Sequence, residues 1–285
     1  MELEHSTVKT NGIQLHIVKA GPKSGIPVVL LHGFPEFWYG WRKQIPALVA
    51  AGCRVIVPDQ RGYNLSDKPK GINAYCIDQL VEDIGGLIDA LDYEKVNLVG
   101  HDWGALVSWM VAIKHPERLH RLGILNVPHP TVMKRFLQRD PGQMIRSLYA
   151  LFFQLPWLPE MSMRVGNWRG ASLGMRRSGN SHAFTDEDIT KYKEAWSQPG
   201  AITAMLNWYR AAFRYRSQIT NDMQVHVPTL MLWGVKDFAL SYRMARPSLD
   251  YCEKGNLVFF PDASHWVQHE EADEVNRHLL SFISS

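Results

Sequence analysis

Short apolar segments alternate along this chain with segments of helical periodicity. The apolar, strand-like segments are 26–31, 54–58, 96–100, 121–126, 229–233 and 257–260. Apolar residues at helical spacing fill segments 39–50, 77–91, 104–114, 241–249 and 270–283. Because strands this apolar are buried on both faces, the alternation predicts an α/β fold with a mostly parallel sheet and helices on both sides. Segment 7–19, which Asn11-Gly12 interrupts, predicts an antiparallel hairpin at the sheet edge.

The middle of the chain departs from this alternation. After Pro128, and up to about residue 216, the sequence is rich in Trp, Phe, Met and Arg and is interrupted by prolines. It shows helical patterns but no convincing buried strand. We therefore predict a core domain of residues 1–128 and 217–285, and a helical cap of residues 129–216 inserted between two strands of the sheet.

The composition excludes several classes of protein. The formal net charge of the 285 residues is +3, and the basic residues form no run of the kind that nucleic acid binding needs. Cys53, Cys76 and Cys252 are odd in number and form no CxxC pair, which argues against a disulfide scaffold or a zinc site. The N-terminus shows no signal peptide, and no apolar run is long enough to span a bilayer. We expect a cytoplasmic protein without membrane anchor, nucleic acid partner, metal or cofactor, and we predict no oligomeric state.

The segment Gly100-His101-Asp102-Trp103-Gly104 lies between a predicted strand and a predicted helix. A nucleophile at such a turn points out of a sharp, strained backbone, and a glycine two positions away on each side lets neighbouring backbones approach. The N-terminus of the following helix offers unpaired N–H groups, which stabilise an ionised carboxylate. Asp102 is therefore a candidate nucleophile, although an aspartate at this position can also serve only as a helix cap.

The type of residue at position 102 limits the chemistry. A carboxylate with an ordinary pKa near 4 is ionised at neutral pH and needs no base to become a nucleophile. Its attack on an ester carbonyl would give a mixed anhydride, which is a poor intermediate. Its attack on an sp³ carbon that carries a leaving oxygen or halide gives a plain ester, which water can hydrolyse. Asp102 therefore favours epoxides or alkyl halides as substrates.

The ends of other predicted strands supply further candidate groups. His265 follows the last strand and is predicted to activate water, while Asp237 follows the strand before it and is predicted to orient the imidazole. The backbone N–H groups of Phe34 and Trp103 are predicted to form an oxyanion hole, although the segment around Phe34 can also be an ordinary Gly-Pro turn. His32 and His101 lie nearby and are predicted to have packing roles, and the chain has no metal-ligand spacing.

An aromatic-rich cap favours an apolar ligand, although core packing explains its aromatic residues equally well. The predicted pocket walls are Trp103, Trp109, Phe152, Phe153, Trp157 and Trp266.

Four motifs give the chain a family resemblance. These motifs are His32-Gly-Phe-Pro35, Asp59-Gln-Arg-Gly-Tyr63 with Ser66-Asp-Lys-Pro69, Gly100-His-Asp-Trp-Gly104 and Ser264-His-Trp266. Together they resemble the epoxide hydrolase branch of the α/β hydrolases, whose order of nucleophile, acid and histidine the chain also follows. The resemblance covers essentially the whole chain and implies the α/β-hydrolase fold, with an eight-stranded sheet and an inserted cap. Asn64 stands where many relatives have glycine, but asparagine tolerates left-handed backbone angles.

The resemblance also implies roles for two cap tyrosines. Tyr149 and Tyr209 stand where similar epoxide hydrolases carry the tyrosines that hold the epoxide oxygen. Opening of an epoxide develops an alkoxide, and a phenol with a pKa near 10 can donate a hydrogen bond or a proton to it. The implied partners are a small epoxide and water, which give a vicinal diol through a covalent Asp102 ester.

Two alternatives stay open at this stage. Haloalkane dehalogenases resemble this chain but usually carry Asn or Glu where Phe34 stands, and haloacetate dehalogenases tend to carry Arg where Trp103 stands. The side chains found here do not suit halide or carboxylate binding. The other alternative is a non-catalytic binding protein of the same fold, since a fold does not determine a function. Such proteins typically lack one of the three catalytic groups.

Overall fold

A computed structural model describes residues 1–218 and 222–285 of the chain. The strands of the described residues are β1 (Glu4–Thr10), β2 (Ile13–Ala20), β3 (Ile26–Leu31), β4 (Cys53–Pro58), β5 (Val96–His101), β6 (Leu119–Leu125), β7 (Thr229–Gly234) and β8 (Gly255–Phe260). They form one sheet in the order β1-β2-β4-β3-β5-β6-β7-β8. β2 is antiparallel to both β1 and β4, whereas the remaining neighbours are parallel. The predicted parallel sheet with an edge hairpin is confirmed.

Helices flank the sheet and fill the interval between β6 and β7. The α-helices of the described residues are α1 (Gln44–Ala50), α2 (Ile77–Ala90), α3 (Trp103–Lys114), α4 (Pro130–Arg139), α5 (Pro141–Arg146), α6 (Leu148–Phe152), α7 (Leu158–Arg177), α8 (Asp186–Trp196), α9 (Ala201–Arg214), α10 (Ala245–Ser248), α11 (Val267–Glu270) and α12 (Ala272–Ser284). Short 3₁₀ turns span Trp38–Trp41, Ile72–Tyr75, Pro116–Arg118, Tyr242–Met244 and Leu249–Tyr251. None of the described helices combines the length and the apolar character that crossing a bilayer requires.

The two faces of the sheet bury different side chains. In β3, Val29 and Leu31 belong to the apolar cluster that contains residues of α2 and α3. Val28 and Leu30 alternate with them and belong to the cluster that contains residues of α1 and α12. Because successive side chains of a strand point to opposite faces, a fully apolar strand fits only between two helical layers.

Two predicted helices are broken into shorter pieces. Segment 39–50 forms a 3₁₀ turn and then α1, because the ring of Pro46 clashes with the carbonyl of the residue four positions earlier, where a continuous helix would have to run. Segment 241–249 likewise divides into 3₁₀ turns around α10, which contains Pro247. Segment 39–50 is therefore helical only in part, whereas segment 241–249 is helical from Tyr242 onward, as predicted.

Helices α4 to α9 lie between β6 and β7, and the described residues of this interval contain no strand. α7 is not continuous, since Val165–Trp168 depart from helical backbone angles. α8 begins at a capping box in which Thr185 and Asp188 bind each other's backbone N–H groups. The division into a core (1–128 and 217–285) and a cap (129–216) stays a prediction, and residues 219–221 of it lie outside the described residues.

Candidate active site

Asp102 occupies a strained turn between β5 and α3. Its backbone angles are φ 51° and ψ −125°, a left-handed conformation that costs about 1–3 kcal/mol for a residue with a side chain. The two flanking glycines are required sterically: a Cβ atom would lie 2.4 Å from a backbone oxygen at Gly100 and 2.2 Å from one at Gly104. The predicted sharp elbow is therefore present, and it holds Asp102 at the carboxyl end of a central strand.

The carboxylate of Asp102 does not act as a helix cap toward the described residues of α3. Its Oδ1 accepts a hydrogen bond from the backbone N–H of Phe34 at 2.6 Å. Its Oδ2 lies 3.4 Å from Nε2 of His265. The capping interpretation of Asp102 therefore loses its basis, because the carboxylate faces the histidine and the loop after β3.

His265 and Asp237 form a buried pair next to Asp102. Nδ1 of His265 lies 2.7 Å from Oδ2 of Asp237. The other oxygen of Asp237 accepts hydrogen bonds from the N–H groups of Ala239 at 2.8 Å and Leu240 at 2.9 Å. These bonds hold one oxygen of the carboxylate in place and aim the other at the imidazole ring.

Asn126 is a site residue that the sequence analysis did not assign. It follows β6, and its amide donates to Oδ2 of Asp237 at 2.8 Å while its own oxygen accepts from the N–H of Gly234 at 3.0 Å. The polar residue directly after β6, at the same sheet edge as Asp102 and Asp237, was the available signal. Asn126 thus fixes the orientation of the carboxylate that holds His265.

The charges in the site shift the pKa values of its central pair. Burial alone would lower the pKa of His265, but the carboxylates of Asp237 and Asp102 outweigh it and raise that pKa to about 10. Burial would likewise raise the pKa of Asp102, yet His265, His101 and the N–H of Phe34 hold it below its ordinary value. In the free protein at neutral pH, Asp102 is therefore an anion beside a protonated imidazole.

A further buried carboxylate, Glu36, contacts two histidines, His269 and His101, next to His265. It accepts hydrogen bonds from His269 at 2.7 Å and from Tyr192 of α8 at 2.6 Å. Its other oxygen lies 3.4 Å from His101, whose second ring nitrogen is 2.8 Å from the backbone oxygen of His265. His101 is thus fully buried and packs under the catalytic candidate, as predicted. Its acidic neighbour was missed because Glu36 follows a turn instead of a strand.

A cavity of about 480 Å³ opens beside Asp102. Apolar side chains dominate its lining, and its polar groups are Asp102, Ser147 and the two predicted tyrosines, Tyr149 of α6 and Tyr209 of α9. The ring centroids of the tyrosines lie 6.0 Å apart. Burial and the nearby charge of Asp102 raise the pKa of both phenols, so both stay protonated. The structure thus brings two hydroxyl donors and one carboxylate into the same apolar cavity.

The predicted oxyanion donors lie on either side of Asp102. The N–H of Phe34 already points at Oδ1. Trp103 is the first residue of α3, so its N–H has no acceptor within the helix. The assignment of these two groups as an oxyanion hole stays a prediction.

Two buried tryptophans were wrongly predicted to line the pocket. Of the predicted wall residues, Trp103 does line the cavity, but Trp109 and Trp266 are absent from its described lining. Trp109 is fully buried inside α3, and its indole N–H donates to the oxygen of Val127 at 3.2 Å. Trp266 packs beside His265, and the indole N–H of Trp266 donates to the hydroxyl of Ser178 at 2.9 Å. Both are core residues, Trp109 on the interior side of α3 and Trp266 in the loop that leads into α11.

Three further aromatic residues that were predicted to line the pocket, Phe152, Phe153 and Trp157, are not among the described residues that line this cavity. Phe153 lies behind the cavity, with its ring centroid 4.9 Å from that of Tyr209 and 5.6 Å from that of Tyr149. Phe152 is more than one-third exposed, and Trp157 is 76% exposed outside α7. The described residues that actually line the cavity besides those already named are Leu106, Val127, Pro128, Met133, Leu137, Ala150, Ala212, Phe213 and Leu240. Helical spacing from Tyr209 would have indicated Ala212 and Phe213.

Known proteins resemble this chain in sequence and in structure along nearly its whole length. A sequence model of the alpha/beta hydrolase fold family matches residues 26–272. AB hydrolase superfamily protein YfhM of Bacillus subtilis is 49% identical over 278 residues, covering 98% of this chain and 97% of that protein. Epoxide hydrolase 2 of Caenorhabditis elegans is 38% identical over 288 residues, covering 98% of this chain and 80% of that protein. An inhibitor complex of Bacillus megaterium epoxide hydrolase superposes with a TM-score of 0.88 at 30% identity, covering 98% of this chain and 100% of that one.

Proposed function

The chain belongs to the epoxide hydrolase branch of the α/β hydrolases, and on this premise we propose that it converts apolar epoxides to vicinal diols through a covalent ester of Asp102. One observation carries the proposal. An ionised carboxylate and two protonated phenols, Tyr149 and Tyr209, face the same largely apolar cavity. The opening of an epoxide requires a nucleophile at one of its carbons and an acid at its oxygen, both within reach of the same bound molecule.

The first step forms the ester. Oδ1 of Asp102 is held by the N–H of Phe34, so Oδ2 is the oxygen free to attack an epoxide carbon. The bond from this carbon to the epoxide oxygen breaks, and the oxygen takes a proton from Tyr149 or Tyr209. Because the pKa of each phenol is raised, each is a hydrogen-bond donor in the ground state and gives up its proton only to a strongly basic alkoxide.

The second step hydrolyses the ester. Formation of the ester removes the negative charge of Asp102, which is one of the two charges that raise the pKa of His265. The imidazole then loses its proton more readily and can accept one from water, while Asp237 holds its other nitrogen. The water oxygen attacks Cγ of Asp102 as His265 takes a proton from it, and the N–H groups of Phe34 and Trp103 stabilise the resulting oxyanion. The bond from Cγ to the former Oδ2 then breaks, this oxygen takes the proton from His265, and the diol leaves. The proton left on the carboxyl of Asp102 returns to the tyrosinate formed in the first step.

The alternatives have less support. Similar haloalkane dehalogenases carry a hydrogen-bonding side chain for the halide at the position of Phe34, whereas the ring of Phe34 packs against Phe153 and Tyr209 and donates no hydrogen bond. A binding protein needs no histidine held between two carboxylates. The arrangement of Asp102, His265 and Asp237 therefore favours the hydrolytic function.

Heavy oxygen from water tests the proposed route. In a single turnover in H₂¹⁸O, we expect the label in Asp102 and unlabelled oxygen in the first diol, because water attacks the carboxyl carbon. Mass spectrometry of the diol and of the peptide that contains residue 102 measures both. Label in the first-turnover diol with none in Asp102 would mean direct attack of water on the epoxide and would exclude the ester.

The two steps should differ in their dependence on pH. Ester formation needs ionised Asp102, whose pKa lies below its ordinary value, so its rate should be flat between pH 6 and 9. Ester hydrolysis needs neutral His265, whose pKa in the ester falls below the value of about 10 in the free protein. The hydrolysis rate should therefore rise with pH, by about tenfold per pH unit below that pKa. Rapid-quench measurement of the ester at several pH values checks this, and hydrolysis that slows as pH rises would contradict it.

A further inference from the structure

We propose that the outer surface of the cap docks on an anionic lipid bilayer. In the described residues nine large hydrophobic side chains are more than half exposed, and six of these lie between residues 144 and 165. These six, which we call the cap surface, are Ile145, Leu148, Leu151, Trp157, Met161 and Val165. A concentration of exposed apolar side chains of this kind marks an interaction site on a protein that is otherwise well covered.

The charge around the cap surface is strongly positive. Residues 130–177 contain eight basic and two acidic residues, although the whole chain has a net charge of only +3. Both acids are engaged in ion pairs, Asp140 with Arg243 and Glu160 with Arg210. Of the eight basic residues Arg176 pairs with Asp186, whereas the other seven form no ion pair with a described residue and complement a negatively charged surface. Apolar side chains surrounded by Lys and Arg are typical of segments that lie in the interface of an anionic membrane.

A depression of about 560 Å³ next to Trp157 offers a position for a lipid phosphate. Arg164 and Arg214 line it, both exposed, and neither forms an ion pair with a described residue. Trp157 itself is 76% exposed, the largest exposed fraction among the large hydrophobic side chains described. An indole beside unpaired guanidinium groups suits the headgroup region of a bilayer, because the ring enters the apolar layer while the cations meet phosphates.

The cap surface is held in place by buried contacts. Arg210 of α9 donates to the backbone oxygens of Phe153 at 3.1 Å and Leu155 at 2.8 Å, and it pairs with Glu160 at 2.8 Å. Gln154 donates to the oxygen of Tyr209 at 3.2 Å. The segment between α6 and α7 is thereby fastened to α9. Its apolar side chains are displayed outward on a fixed framework, so docking does not have to order a loose loop.

Helix α6 contributes residues both to the cap surface and to the cavity. In α6, Tyr149 and Ala150 line the cavity, whereas Leu148 and Leu151 are exposed as part of the cap surface. An apolar substrate dissolved in a bilayer would thus meet the cavity close to the docked surface. A second copy of the chain is the less favourable occupant, since it would bring two surfaces of the same positive sign together.

Binding to vesicles tests the proposal without any use of catalysis. The full chain should co-sediment with phosphatidylglycerol vesicles and not with phosphatidylcholine vesicles, and 0.5 M salt should release it. Trp157→Ser should weaken binding by about tenfold, and Arg164→Gln and Arg214→Gln by about fivefold each. Leu148→Ser should also weaken binding, whereas the matched variant Leu65→Ser should not, since Leu148 is 55% and Leu65 56% exposed.

Several results would overturn this proposal. Equal binding to both kinds of vesicle would show that the protein does not recognise an anionic bilayer. An equal loss of vesicle binding in Leu65→Ser and Leu148→Ser would show that the cap surface is not where the protein docks. A dimer that forms without vesicles and is lost in Trp157→Ser would assign the surface to a second copy of the chain. Because co-sedimentation is independent of turnover, failure of the proposed hydrolytic function would leave this result unaffected.

Discussion

Replacement of His265 by Gln should stop the reaction at the covalent ester and add the full mass of the substrate to the protein. The variant keeps Asp102 and both cap tyrosines, so the ester still forms. It lacks the base that activates water, and steady-state diol formation should fall by about 10²- to 10⁴-fold. Intact-protein mass spectrometry after incubation with a panel of epoxides measures the adduct and identifies which epoxide reacts.

Two controls make this result specific. His120→Gln changes an exposed histidine of β6 outside the site, so it should turn over normally and carry no adduct. Asp102→Asn combined with His265→Gln should carry none either, because an amide is a poor nucleophile. If the single His265→Gln variant stays unmodified by an epoxide that the unaltered protein consumes, the ester route is wrong.

The two cap tyrosines should control the first step. Tyr149→Phe and Tyr209→Phe should each slow ester formation by about 10²- to 10³-fold, as expected for the loss of one donor to a developing oxyanion. The variant that carries both substitutions should form the ester still more slowly, because neither tyrosine hydroxyl then remains to protonate the alkoxide. The measurement is the rate of adduct formation in the His265→Gln background, where hydrolysis does not interfere.

A matched substitution separates this effect from a general loss of structure. Tyr242→Phe removes the same atom from a tyrosine that is 45% exposed and outside the cavity lining of the described residues, so it should leave the rate unchanged. A double Tyr149 and Tyr209 variant that forms the adduct at the unaltered rate would show that another acid opens the epoxide. Retained thermal stability of each variant is the condition for comparing the rates.

Much of the core could be predicted from local sequence. The strand segments 26–31, 96–100 and 229–233 were found nearly to the residue, because a fully apolar run between turns has few other structures available to it. The helix around Pro46 was predicted too long, since it begins only at Gln44. The proline was visible, but where a helix begins next to such a residue depends on what the first turn packs against.

The pocket was the least predictable part of the site. Trp103 and the cap tyrosines could be placed because motifs fix their positions relative to the ends of elements. Trp109 and Trp157 are chemically alike, yet Trp109 is buried in the core and Trp157 is exposed directly before α7. The packing of helices that are distant in sequence decides which side of a helix faces a cavity. Amino-acid composition carries no information about this packing.

The sequence by itself determined the layered fold and the type of side chain, a carboxylate, at the turn after β5. A carboxylate at a Gly-flanked elbow and apolar strands at regular intervals are local properties, which the side-chain chemistry and the backbone sterics of a few neighbouring residues establish. Only the tertiary structure decided that Asp102, Asn126, Asp237 and His265 come together, with His265 3.4 Å from Asp102 and 2.7 Å from Asp237, and which apolar residues surround them. Those contacts join segments more than a hundred residues apart in some cases, and they exist because parallel strands bring their carboxyl ends to one edge of the sheet.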